Sequence, residues 1–531
     1  MIKGTPKRKK SLAFLLFFLL ALLLFQSCSS AQYFTWMKDT SLESENGWKA
    51  ELPDIVIQDR YIYVVWHTWI TELASLISFK MSSDAGKTWS ETLRFTSEES
   101  IADSPKITCQ NNFIYIVWKE VTTNVTEIFF KSSSDYGKTW NENKQLTYNN
   151  TIPRNIYDVK IETQDSMVFV IWKDYRTGSS EVFLKKSDDY GETWSQDIRV
   201  TKDYTPSYHP AMAIGTHVLW IVWDDWGEEA EICSSQSYDF GNTWSDKQFL
   251  TSKGESKEPC IAIEDEHICL VWMDDQDDNF EIYFKESSDN GMTWSDDVRL
   301  TNNSGLSASP QISMYNDTIS IVWMDDRSGH YEIFFKQRSK EYNWTKDQQV
   351  THSSYEQLFP ALALLKSYPC IVWKTHFGAS QSDINFTMAS FDIPLVLSLY
   401  VSDTTMDFSE SINLEVYGID QHYSVSELNC EVQLKSSNDT WIPLHETIFI
   451  DDHWEQVITF TNTSSFGEYP IRARLSNPEG KESAWSEITS IELIPKKTNS
   501  QSPGFEIIGL IVFMVLFVFI KEYGNQRRKP R

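Results

Sequence analysis

The chain has 531 residues, a hydrophobic content of 41% and a formal net charge of -28 at pH 7. That length and apolar share suit a globular protein of two or three domains and exclude a disordered or collagen-like chain. The negative charge opposes binding to nucleic acid and to anionic membrane surfaces, and leaves cations and neutral or basic ligands open. Aromatic residues reach 14%, with 21 Trp and 23 Tyr, and flat rings favour pleated surfaces over helices, so an all-β fold is expected.

In chain order, residues 1–31 read as a signal peptide: Lys3, Lys7, Arg8, Lys9 and Lys10 precede an apolar run from Leu12 to Phe25, then small residues that favour cleavage after Ala31. Cys28 is a poor lipid-attachment site, because Phe25 and Gln26 before it are too bulky and polar. Eight Asn-x-Ser/Thr sequons follow, from Asn124 to Asn462, and agree with an exported, glycosylated chain.

Self-similarity dominates residues 32–391. The pattern S-x-D-x-G-x-T-W occurs with Asp84, Gly86 and Trp89; Asp135, Gly137 and Trp140; Asp189, Gly191 and Trp194; Asp239, Gly241 and Trp244; and Asp289, Gly291 and Trp294. A worn sixth copy ends at Trp344. An apolar pair followed by Trp precedes each copy by about twenty residues, at Trp66, Trp118, Trp172, Trp223, Trp272 and Trp323, and recurs at Trp373. Each period of about fifty residues holds four short strands, the pattern of a propeller blade. The last unit lacks its outer strand, and Thr35-Trp36, which align with Thr88-Trp89, are expected to supply it and close a seven-bladed ring.

The eight-residue pattern resembles the Asp-box, or BNR repeat, of sialidases and other secreted propellers. What the resemblance implies is structural: Asp accepts hydrogen bonds from the turn, Gly takes a positive φ and Trp packs between strands, on the side away from where such propellers hold ligands. Chemistry is therefore expected in the opposite loops. There Trp172-Lys173-Asp174-Tyr175-Arg176 matches Trp323-Met324-Asp325-Asp326-Arg327, and acidic pairs recur as Glu120/Glu127, Asp174/Glu181, Asp225/Glu231, Asp274/Glu281 and Asp325/Glu332. They read either as a ring of carboxylates around one mouth or as acids paired with their own Arg and loop N–H groups. Asp274, Asp275, Asp277 and Asp278 crowd one loop and form a candidate calcium site, without the Gly and distant Glu of an EF-hand. Tyr175, Tyr204, Tyr208 and Trp226 are candidate ligand-binding aromatics, and His209 has no neighbour of ligand type in the sequence.

Resemblance to sialidases implies three Arg that clamp a substrate carboxylate. Of the eight Arg between positions 32 and 391, Arg154, Arg176 and Arg327 fall on the loop face, with Arg176 and Arg327 nearly across the ring from one another. Cys260 and Cys269 flank a turn where a disulfide is expected, while Cys109, Cys233 and Cys370 read as core residues. Residues 392–495 alternate as strands, and Tyr469-Pro470-Ile471-Arg472-Ala473-Arg474 with Trp485-Ser486-Glu487 resembles the late strands of a fibronectin type III or immunoglobulin-like sandwich. A polar linker, 496–504, leads to an apolar run, 505–523, expected to cross the membrane as a helix, with the basic tail 524–531 in the cytoplasm. Pro503-Gly504-Phe505 before that run resembles an archaeal C-terminal sorting signal. The expected protein is a cell-surface propeller that recognises a glycan or a protein. The alternatives are a sialidase-type hydrolase and a structural part of a surface layer.

Overall fold

The computed structural model describes residues 34–43, 48–122, 125–148, 156–202, 205–340, 343–378 and 381–390 of the repeat region. Beyond it, it describes parts of 395–496 and residues 513–519. The fold is all-β and propeller-like.

Five repeats each form one antiparallel four-stranded sheet; the first and last repeats share a larger sheet, joined through Lys49 and Ser382. The fifth repeat shows the pattern: Lys257–Glu264, His267–Asp274, Glu281–Ser287 and the short outer strand Val298–Arg299. First strands of successive repeats lie side by side in cyclic order, and Glu356–Leu365 of the last returns to Lys49–Gln58 of the first. The second strands carry the fully buried Trp residues, among them Trp66, Trp118, Trp172, Trp272 and Trp323, so each sheet buries both faces against its neighbours.

The N-terminal segment does attach to the last repeat. Thr40–Ser41 pairs with Gln381–Met388, Trp36 bridges Ala389, and the Met37 N–H donates to the Met388 carbonyl at 2.9 Å. Trp36 and Phe34 pack edge-on against Phe335 of the sixth repeat, at 5.4 and 5.7 Å. The same segment reaches the first repeat, where Glu43, itself buried, accepts from the Trp66 indole and the Thr68 hydroxyl, each at 3.2 Å.

The eight-residue turns join third strand to outer strand and share one set of bonds. Around Asp189, the Thr193 N–H and hydroxyl donate to the carboxylate at 2.8 and 2.7 Å, Ser187 donates at 2.7 Å, and the Gly191 N–H donates to the Ser187 hydroxyl at 2.9 Å. Tyr190 and Gly191 both have positive φ, 59° and 86°, and a Cβ on Gly191 would lie 2.5 Å from the Phe130 ring of the preceding repeat. The closing Trp of each turn packs on that same neighbour: Trp140 on Phe79, Trp194 on Phe130, Trp294 on Trp220 and Trp89 on Phe386. Each turn is thus a staple between repeats.

After Phe391 the chain forms two antiparallel sheets, one of four strands and one of six. Arg472 lies between Trp441 and Trp485, at 4.1 and 4.0 Å from their ring centroids. The C-terminal apolar run departs from expectation: its described part, Phe513–Phe519, is an extended strand paired with Thr489–Lys496. Among the described residues no helix is long and apolar enough to cross a membrane. By periodicity alone an uninterrupted apolar run fits a strand as well as a helix.

Candidate functional site

The acidic pairs lie directly opposite one another on adjacent strands, Asp174 against Glu181 and Asp325 against Glu332 for example. Like charges so placed repel unless each has donors, and here they do. Asp174 accepts from the Trp172 indole at 3.2 Å, Asp274 from Trp272 at 3.1 Å and Asp325 from Trp323 at 3.0 Å. Glu181 and Glu231 accept from Thr201 and Thr251 at 2.5 and 2.6 Å. Most of these carboxylates are buried, so they form an internal latch and not an open ring.

Arg176 and Arg327 belong to the same latch. Arg176 is bonded through Nε and Nη2 to Asp174, at 2.8 and 2.5 Å, and through Nη1 to Asp197 at 2.5 Å. Arg327 repeats this with Asp325 and Asp347, and its guanidinium lies 4.4 Å from the Phe334 ring centroid. Burial opposes the charge on Arg327, but these carboxylates hold its pKa above the ordinary arginine value. Both forks are taken up by these carboxylates, and Arg154, the third of the expected clamp, lies outside the described residues.

The carboxylates of the expected calcium loop diverge. Asp274 is buried and accepts from Ser256 at 2.6 Å; Asp275 accepts from the Glu255 N–H at 2.8 Å; Asp277 pairs with Arg299 at 3.0 Å. Asp278 takes φ 82° and turns the chain. The expected disulfide is overturned: Cys260 and Cys269 are free thiols. Cys260 lies opposite Val271 and Cys269 opposite Ala262, so the two are diagonal neighbours, beyond the reach of a disulfide.

What the structure does assemble is a mouth at the axis. Every first strand carries a bulge, and at it a residue other than glycine with positive φ: Leu52, Ser104, Asp158, His209, Glu258, Ser309 and Phe359, with φ between 43° and 53°. Such a conformation costs on the order of 1–3 kcal/mol per residue. A bulge re-aims one side chain, and in adjoining first strands it brings these seven to one level of the ring. Asp158, His209, Glu258 and Ser309 form a polar arc, in which the Ser309 hydroxyl donates to Glu258 at 2.9 Å. Phe359 and Leu52 form an apolar one.

His209 lies at the centre of the polar arc. Its Nδ1 is 3.0 Å from Oδ1 of Asp224, which is fully buried. Burial works against the imidazolium, but the hydrogen bond to Asp224, aided by the charges of Asp158 and Glu258, raises the His209 pKa. Beside it runs an aromatic ladder. Lys173 lies 5.1 Å from the centroid of Tyr157 and 4.8 Å from that of Tyr208; Tyr208 packs at a tilt against Trp226 at 5.0 Å; Lys257 lies 4.9 Å from Trp226 and 5.2 Å from Phe280. The Trp226 indole donates to Asp224 at 2.7 Å, so ladder and imidazole share one buried carboxylate. Tyr175 sits edge-on to Tyr157 at 6.2 Å. Trp226, Tyr157 and Tyr175 are 42%, 43% and 37% exposed. Three of the four expected aromatics are therefore brought together, and Tyr204 lies outside the described residues.

No family model and no curated protein matches this sequence. Solved structures show a remote likeness to it. Sialidase from Trypanosoma rangeli is 10% identical, over 90% of this chain and 88% of that one, with a TM-score of 0.38. An endosialidase of phage phi92 is 9% identical over 89% and 80%, at 0.41. An α-L-arabinofuranosidase from Fusarium graminearum is 13% identical over 55% and 94%, at 0.43. At these scores the likeness carries no conclusion about this chain.

Sequence reasoning set His209 aside for want of a partner and missed Asp158, Glu258 and Tyr157. No residue type is common to all seven bulges; the one available signal was a Pro after six of the seven, with Val159 the exception.

Proposed function

We propose that this protein is a cell-surface recognition protein whose ring of seven blades binds a glycan at the axial mouth. The observation that carries this reading is the half-exposed ladder of Tyr157, Tyr208 and Trp226 braced by Lys173 and Lys257, beside a polar arc of Asp158, His209 and Glu258. Sugar rings present an apolar face to stack and hydroxyls to bond, and this surface offers both partners side by side. The signal peptide at 1–31 supports export, with the two C-terminal sheets as a sandwich-like stalk. Glycan-array binding by the full chain tests the proposal: binding that survives Trp226→Ala and Tyr208→Ala together would exclude the mouth.

A second reading, cleavage of the glycan at the same place, is favoured by one observation. His209 is held by buried Asp224 between two further carboxylates, an arrangement able to give and take a proton. It does not use the clamp of a sialidase, since Arg176 and Arg327 are engaged elsewhere. Reducing-end release from any array-positive glycan, absent in His209→Ala, is the expected sign of it.

A further inference from the structure

We propose that His267, Cys269 and Glu286 form a zinc-binding site on the flank of the fifth repeat, on the side of the eight-residue turns and away from the mouth. Among the described residues these side chains bring a nitrogen, a sulfur and a carboxylate oxygen within 4.8 Å of one another. Cys269 Sγ is 3.5 Å from His267 Nε2, which is 2.9 Å from Glu286 Oε2. Tetrahedral zinc, bonded at about 2.3 Å to sulfur and about 2.0–2.1 Å to nitrogen and oxygen, sets such atoms about 3.6 and about 3.3 Å apart. A shift of a few tenths of an ångström satisfies these two edges, and the sulfur–oxygen edge, within 4.8 Å, has to close to about 3.6 Å.

The backbone fixes this convergence. His267 and Cys269 are two apart on one strand and so share a face, and Glu286 lies directly opposite Cys269 in register. Cys269 is fully buried against Ile312, Ile319 and Trp323 of the next repeat, whereas the His267 and Glu286 side chains are 25% and 28% exposed. The thiolate would lie at the base, imidazole and carboxylate at the rim, and water from the open side would complete the shell. Zinc binding releases the thiol proton to solvent.

Arg338, at the end of the sixth repeat's third strand, competes for this place. Its guanidinium pairs with Glu286 and rests over Phe284 and Trp344, at 5.2 and 5.1 Å. A metal ion must displace that pairing or share the carboxylate, which has a second oxygen to offer. Arg338 therefore sets the affinity below that of the ligand set alone.

The test uses the full chain, stripped by chelator and titrated calorimetrically with zinc, then with cobalt followed by absorbance. The expected result is one metal per chain, a thiolate-to-cobalt charge-transfer band, and at least about tenfold weaker zinc binding in Cys269→Ser and in His267→Gln. Arg338→Gln should bind zinc several-fold more tightly. The proposal is overturned by no binding, by binding that both ligand variants leave unchanged, by a cobalt spectrum without the thiolate band, or by an Arg338→Gln chain that binds no better. Should Cys269→Ser fail to fold, His267→Gln at its half-exposed position decides the matter.

Discussion

The two faces of the ring were built under opposite rules. On one, five turns repeat the same residues and the same bonds, and each Trp packs on the repeat before it. On the other, the backbone repeats its bulge seven times while the side chain at the bulge changes from Leu to Asp to His to Phe. Repetition of side chains marks what holds the ring, and a repeated backbone with varied side chains marks what the ring presents.

Substitutions should separate the faces, most strongly in the shared core. Trp272→Ala removes a fully buried ring and the donor to Asp274, and about 3–5 kcal/mol of stability should go with it, measured by denaturant unfolding. Gly191→Ala sets a Cβ against Phe130 at φ 86°, and a loss of about 1–3 kcal/mol is expected. Trp226→Ala at the mouth removes one donor from Asp224, which His209 still bonds, and should cost about 1–2 kcal/mol, while binding to an array-positive glycan falls at least about tenfold; a loss of stability equal to that of Trp272→Ala would erase the contrast between faces.

Acid sharpens the comparison further. Asp189, Asp239 and Asp289 are held down to about 2, first by the Thr hydroxyl and N–H of their own turn and then by Ser. A depressed carboxylate contributes stability above its unfolded pKa of about 4 and loses it as pH falls toward 2. Asp189→Asn should therefore be less stable than the wild type at neutral pH, with the gap closing between about pH 4 and pH 2 in urea titrations followed by circular dichroism. His209 gives the smallest and opposite trend. Its raised pKa contributes stability below about 6.5, lost as pH rises through the folded value, and His209→Gln should flatten that slope.

The repeat was legible because Asp84, Gly86 and Trp89 recur with their spacing, and the joining of the chain start to Gln381–Met388 followed from Thr35-Trp36 matching Thr88-Trp89. Burial was not legible. Asp174 and Glu181 look like a ligand ring until their Trp and Thr donors appear, and Arg176 looks free until Asp197 arrives from the outer strand. Register misled at Cys260 and Cys269, where a step of two residues separates bonded from diagonal. The bulges were hidden because positive φ at Asp158 or His209 is imposed by the ring and not by the residue itself.

The N-terminal segment also imposes an order of events. Thr387 bonds to the Met37 carbonyl across 350 positions, so the last sheet stays one strand short until nearly the whole ring has been made. Bringing ends so far apart together from an unfolded chain costs about 5 kcal/mol of loop entropy, much less once the intervening sheets have stacked. In that interval Gln381–Met388 is a bare edge, able to accept the same segment from a neighbouring molecule. Crowded synthesis at low temperature should therefore yield strand-exchanged oligomers that dilution and slow refolding resolve.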